Sequence, residues 1–388
     1  MKLAKRVASV KPSLTLAITA KAKKMKREGT DVVNFGAGEP DFDTPSHIKD
    51  VAIEAINGGF TKYTPASGMP ELKETIAAKF KKDNGLEYPS TSISVSCGAK
   101  HSLYNVFQAT CQEGDEVIIP SPYWLSYPEM VRLSSAKPVF VKTREKDMFK
   151  VRIDDLKKAL TKRTKAVILN SPSNPTGAVY ERERLEEIAD IAVSKKIFVI
   201  SDEIYENLIY DNIEHISVAS LGEKIKRLTL VVNGVSKSYS MTGWRIGYVA
   251  GDQEIIEAIN KIQSHSTSNP SSISQKAALE AIAADQSGVI QMKREFESRR
   301  DYMVERLGSI NGFNAVKPKG AFYVFCNIAQ TGYDSLVLAN RLLDEIGVAV
   351  IPGKPFGSDK HIRLSFATGR DEIAKGMDRI EKWPEERR

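Results

Sequence analysis

"VVNGVSKSYSMTGWRIGYVAG", residues 231–251, holds two apolar runs around a polar loop. The first reaches back to Leu228 and reads as a strand over Leu228–Val232; the second reads as a strand over Ile246–Ala250. Continuous apolar runs of this kind belong in a sheet covered on both faces. Lys237 stands in the loop between Ser236 and Ser238, with Arg245 eight residues on. A lysine at the inner end of a core strand gives up hydration, which lowers its pKa and frees a lone pair. Desolvated lysines form imines with carbonyl compounds.

Outward from this stretch the same pattern repeats. Strands are expected at Ser92–Val95, Glu116–Ile119, Lys137–Val141, Ala166–Leu169 and Phe198–Ser201. Helices are expected at Pro45–Asn57, Pro70–Asn84, Ala99–Gln112, Ile153–Leu160, Glu181–Lys195 and Pro270–Asp285. Such alternation predicts an α/β fold with a mostly parallel sheet under helices on both sides. After a long charged helix over Gln291–Leu307 the texture changes. "AFYVFCNI", "VAVIPG" and "HIRLSFA" read as strands around a helix at Ser335–Leu343. The chain therefore divides into a large domain, 45–287, and a smaller α+β domain made of 1–44 and 288–388.

In an open α/β sheet ligands sit beyond the carboxyl ends of the strands, so the residues that follow each strand matter most. "CGAKHSLYNVFQ" turns from strand to helix at Gly98, Ala99 and Lys100, whose amides would be free to bind an anion; an ordinary tight turn is the alternative. Trp124 in "SPYWLSYPEM" suits either the core or the face of a planar ligand. "NSPSNPTGAVY" sets Asn170 and Asn174 in a turn whose Pro and Gly are explained by geometry, while the asparagines are not. Asp202, at the end of "IFVIS", needs a partner for a buried carboxylate, and a helical turn would bring Tyr205 to its side. Around Lys237, Ser236 and Arg245 suit a phosphate. An imine-forming amine, an anion cradle, a carboxylate awaiting a cationic ring, a phenol and an aromatic plate are all used by one cofactor, pyridoxal phosphate.

"NFGAGEPDFDTP", "TKYTPASGMPELK", "SPYWLSYPEM", "NSPSNPTGAVY", "SDEIYENLIY", "NGVSKSYSMTGWRIGY", "GAFYVF" and "HIRLSFA" together resemble the class I and II aminotransferases of pyridoxal-phosphate fold type I. The resemblance spans the chain in order and is closest to the bacterial aspartate and prephenate aminotransferases. It implies that Lys237 bonds the cofactor, that Asp202 pairs with its ring nitrogen, and that Tyr205 and Asn174 contact its 3-oxygen. It implies Trp124 as the stacking ring, and Gly98, Ala99, Lys100, Ser236 and Arg245 as the phosphate cup. Tyr63 would be lent to the neighbouring subunit of a homodimer with shared sites. Gly38, Asn174 and Arg363 would hold the substrate α-carboxylate. In "HIRLSFA", alternation puts Arg363 and Ser365 on one face and Ile362, Leu364 and Phe366 on the other; a solvent-facing arginine is the alternative.

The chain departs from the family where many relatives carry a phosphate-binding serine, for here that position is Gly234. Lys100 and Lys11 resemble lysines linked to the distal carboxylate of acidic substrates, and imply a transaminase acting on L-aspartate and 2-oxoglutarate, with prephenate as a further substrate. The rivals are an aromatic, alanine or kynurenine-type aminotransferase, or a β-lyase on the same cofactor.

Bulk composition agrees with an ordinary globular enzyme. The 388 residues are 41% hydrophobic and 27% charged, which excludes disordered and collagenous classes. The formal charge of +7 owes much to the lysine-rich N-terminal stretch, which reads as a solvated helix face and, lacking interleaved aromatics, speaks against nucleic acid. Cys97, Cys111 and Cys326 form no metal-binding spacing and fit a reducing, cytoplasmic setting with no zinc site. No apolar run reaches the ~20 residues of a membrane span, and no GxGxxG or Walker loop marks a nucleotide-binding protein.

Overall fold

The computed structural model describes residues 4–10 and 14–383. Its centre is a seven-stranded sheet in the spatial order Ile93–Ser96, Gly247–Ala250, Thr229–Gly234, Phe198–Asp202, Thr164–Asn170, Glu116–Ser121, Lys137–Lys142. All neighbours run parallel except Gly247–Ala250, which is antiparallel to both strands beside it. The mostly parallel expectation therefore holds, with one reversal that the "TGWRIG" return makes necessary. Leucine, isoleucine and valine from both faces are buried under helices on each side. That double cover explains why these strands are continuous apolar runs rather than alternating ones.

Register decides where the chemistry lies. Asn170 pairs with Asp202, and Asp202 with Val232. Three adjacent strands thus finish at one edge, and the loops leaving them carry Asn174, Tyr205 and Lys237.

The C-terminal part contains a four-stranded antiparallel sheet in the order Ile351–Pro352, His361–Ser365, Tyr323–Asn327, Asn314–Ala315. Helices Ser287–Ser309, Ser335–Ile346 and Arg370–Lys382 accompany it. Val33–Asn34 pairs in parallel with Val348–Ala349, and Val33 and Phe35 share a core with Phe322, Leu342 and Met377. Tyr205 and Leu208 reach into that same core.

Helix Pro70–Asn84 lies where its sequence predicts, with Gly85 closing it in the left-handed conformation,. Helices Ser126–Leu133, Gln253–Ser264 and Arg370–Lys382 are additional to the sequence expectation. The second shows its signal in hindsight: Asp252 caps it by accepting from the Glu254 amide, and Ile256 and Ile259 are buried three residues apart,. One local expectation fails. Tyr205 follows Asp202 in a tight turn, not a helix, because Asp202 still pairs with Val232 and the next amide, Glu203, donates to the Val232 carbonyl.

Candidate active site

The strand Thr229–Gly234 delivers Lys237 into a crowded loop. A Cβ at Gly234 would lie 2.8 Å from the Gly247 Cα and 2.9 Å from the Ile246 carbonyl. Only glycine fits there without moving the neighbouring strand, which gives the departure at this position a packing reason. Beyond it, the Lys237 ammonium donates to the Gly38 carbonyl at 2.6 Å. Desolvation is the main cause that brings the Lys237 pKa down to about 8; Glu39 and Asp202 oppose it, and Arg363 and Arg245 reinforce it. A lysine poised there is part neutral near physiological pH.

Asp202 is buried, with 4% of its surface exposed. Its Oδ2 accepts from the Tyr127 hydroxyl at 2.6 Å and its Oδ1 from the Ile204 amide at 3.3 Å. Burial pushes its pKa up to about 6, against the pull of those two hydrogen bonds. The carboxylate is thus held at a cost that a cationic partner would relieve.

Arg363 lies on the strand His361–Ser365, every residue of which is buried. With 5% of its surface exposed, it is not the solvent-facing edge arginine. Its guanidinium donates to Asn174 Oδ1 at 3.1 Å and to the Gly36 carbonyl at 3.2 Å, and lies 4.2 Å over the Tyr323 ring. Its Nε is buried and has no hydrogen-bond partner among the described residues. Asn174 is held in turn: its amide donates to Asn170 Oδ1 at 2.8 Å, while Asn170 Nδ2 donates to the Asp202 carbonyl at 3.0 Å. One of the two unexplained asparagines is a brace and the other points a carbonyl at Arg363. The Tyr205 and Tyr323 hydroxyls share a 3.0 Å hydrogen bond.

At the far end, helix Ala99–Thr110 starts behind Gly98, whose φ is +88°. A Cβ at Gly98 would fall 2.2 Å from Arg245 Nη2, so glycine is what lets the guanidinium settle against the helix start. Arg245 itself adopts φ +57°, a strained state for a side chain of its size that is found at functional sites. Its guanidinium is tied to the Thr242 and Cys97 carbonyls at 2.8 and 3.4 Å. The Gly98 amide is not free, for it donates to the Ser96 carbonyl at 2.7 Å. Among the described residues the Ala99 and Lys100 amides have no acceptor, and with the helix N-terminus and Arg245 they form an electropositive corner.

The chain matches the family described as "Aminotransferase class I and II" over residues 30–380. The chain belongs to the class I and II aminotransferases. It is 52% identical over 386 residues to an aspartate aminotransferase of Bacillus sp. strain YM-2, covering 98% of each chain. It is 47% identical over 390 residues to a probable aspartate/prephenate aminotransferase of Aquifex aeolicus, covering 99% of each. Among solved structures, the aspartate aminotransferase of Rhizobium meliloti aligns with a TM-score of 0.95 at 41% identity over 98% of both chains. That of Thermus thermophilus with maleate aligns with a TM-score of 0.95 at 44% identity over 98% of this chain and 99% of the other.

Within this aminotransferase the remaining expected residues are distributed unevenly. Ser236 is buried beside Lys237. Trp124 stands edge-on to Tyr127, with ring centroids 5.2 Å apart, and the Lys100 ammonium lies 4.9 Å over its indole. Burial, then Arg245, lowers the Lys100 pKa. Tyr63 is 89% exposed and, among the described residues, joins nothing at the site. Lys11 lies outside the described residues. Sequence reasoning missed Tyr127, Tyr323 and Glu39, the last of which accepts from Thr242 Oγ1 at 2.7 Å. Only Tyr127 had a signal, its place three residues beyond Trp124 on a helical turn. None of the described helices is long and apolar enough to cross a membrane.

Proposed function

We propose that this aminotransferase uses pyridoxal phosphate to exchange an amino group between L-aspartate and 2-oxoglutarate, with prephenate as a further acceptor. The observation that carries the reading is the convergence of a partly neutral Lys237, a buried Asp202 and a buried Arg363 whose Nε has no hydrogen-bond partner among the described residues. The names of the relatives, aspartate and aspartate/prephenate aminotransferases, support the substrate pair.

The residues fit the cofactor: the free Ala99 and Lys100 amides, Ser236 and Arg245 suit its phosphate, and Asp202 suits a protonated ring nitrogen. Bound there, pyridoxal phosphate supplies a carbonyl that condenses with amines and a ring that withdraws electrons from the substrate Cα. Lys237 would hold the cofactor through its amine and, as a neutral amine, would move the substrate Cα proton as general base and acid. Asp202 keeps the proton on the ring nitrogen. Tyr205, Asn174 and Trp124 would help to hold the cofactor. Arg363, with Asn174 and Gly38, binds the α-carboxylate and so orients the Cα–H bond. Lys100 and Lys11 serve the distal carboxylate.

We further propose a homodimer in which Tyr63 completes the partner's phosphate site; the exposed Ile53 and Ile56 on the preceding helix support such a face,. The 45–287 and 1–44 plus 288–388 division gives the second part freedom to close over substrate and exclude water. Three free cysteines support a cytoplasmic enzyme.

The test is a single-turnover panel. Aspartate should change the visible absorption of the cofactor-loaded protein faster than alanine, phenylalanine or kynurenine, and 2-oxoglutarate or prephenate should restore it. A preference for an aromatic amino acid would overturn the substrate assignment. Pyruvate released without an acceptor would indicate a β-lyase.

A further inference from the structure

In "SDEIYENLIY" the residues next to Asp202 and Tyr205 are also acidic, and both are buried: Glu203 and Glu206. Glu203 accepts from the Ser201 and Ser217 hydroxyls at 2.7 Å each and pairs with His215 Nε2 at 2.9 Å. Glu206, 7% exposed, ties two further elements to its own turn. From helix Pro70–Asn84 it receives the Lys79 ammonium in a close ion pair, and Asn84 Nδ2 at 2.9 Å. From the end of strand Thr229–Gly234 it receives Asn233 Nδ2 at 2.7 Å. Asn233 Oδ1 in turn accepts from the Gly234 amide at 2.7 Å, three residues before Lys237.

Glu203, Glu206 and His215 are close enough to hold a metal ion. The Lys79 ammonium already supplies the positive charge at Glu206, so the grouping carries no metal site. A buried ion pair is also a poor device for stability, since apolar residues fill such a place as well or better. What apolar residues cannot do is bond Asn233 while anchored from the other side.

We propose that Glu206 is a positioning residue for transamination: through Asn233 it sets the Lys237 loop against the strand end at Asp202 and the turn that carries Tyr205, with Lys79 holding its carboxylate in place. The proposal rests on Lys237 being the reactive amine. Burial works against charge at Glu206, and Lys79, His215 and Asn84 together hold its carboxyl below the ordinary range. The anchor is therefore charged throughout the working pH range. A tether between two loops that must meet within a fraction of an ångström acts on the rate of the chemical step rather than on substrate capture.

The experiment compares cofactor-loaded wild type with Glu206→Met, Asn233→Leu and the double variant. It measures thermal midpoint, kcat and KM for aspartate, and the pH midpoint of the cofactor's visible absorption, which reports the ionisation of the Lys237–cofactor bond. Each single change should lower kcat about tenfold with KM within about threefold, and should move the absorption midpoint. The double variant should be no worse than Glu206→Met, since both act through one contact. Folded variants with wild-type kcat and midpoint, or fully additive losses, overturn the proposal. If Glu206→Met fails to fold because the buried Lys79 loses its nearest counter-charge and keeps only Asn84 Oδ1 and the more distant Asp83, Lys79→Met/Glu206→Met removes both charges and must show the same midpoint shift; an unmoved midpoint again overturns it. A wild-type protein whose visible absorption ignores pH would instead count against the role of Lys237 itself.

Discussion

Replacing Asp202 with asparagine should make the cofactor-free protein more stable while disabling the enzyme. Burial raises the Asp202 pKa from an ordinary 3.8 to about 6. The folded state therefore binds this proton more tightly than the unfolded chain does. Stability from this group is greatest below the ordinary value, falls as pH rises from 3.8 towards 6, and stays depressed above it,. A shift of roughly two units corresponds to a deficit of about 3 kcal/mol at pH above about 7. Asparagine has the shape of the neutral acid: its Oδ1 keeps the Ile204 amide while its Nδ2 donates to the Tyr127 hydroxyl oxygen, so Asp202→Asn should recover most of that deficit. The gain should shrink to nearly nothing as the pH falls to about 4. Urea unfolding of both proteins without cofactor, at several pH values, measures it. Equal differences at every pH, or a variant less stable than wild type at about pH 8, would show that Asp202 is not held as a costly carboxylate. With cofactor, turnover should drop at least about a hundredfold, because asparagine cannot hold a proton on the ring nitrogen.

Lys237→Ala should prevent borohydride from fixing cofactor to the chain and should lower turnover by about a thousandfold or more, as peptide mapping and single-turnover rates would show. Arg363→Lys should cost about 2–5 kcal/mol of binding, seen as a raised KM for every amino acid tested, since a lysine cannot reproduce the fork held between Asn174 and Gly36,. Lys100→Ala should reduce kcat/KM for aspartate more than for alanine or phenylalanine; equal losses would confine Lys100 to its contact with Trp124.

A good part of this protein is written in local pattern. The apolar runs determine the strands, and the residues that follow them, Asp202, Asn174, Lys237 and Arg245, are polar groups that a core strand does not need. Lys237 and Asp202 were legible because an ionisable side chain at the inner end of a buried run demands an explanation wherever the chain goes afterwards. Gly234 read as a missing serine, and only the approach of Gly247 and Ile246 reveals it as a packing requirement.

Tertiary structure decided the partners. Tyr127 meets Asp202 across 75 positions of chain, Arg363 meets Asn174 across 189, and Lys237 meets Gly38 across 199. Sequence period describes which face a residue takes, but not which distant element covers that face. Hydrogen bonds and desolvation depend on the covering element, so the lowered lysine, the raised aspartate and the Glu206 tether exist only once the strands are in register.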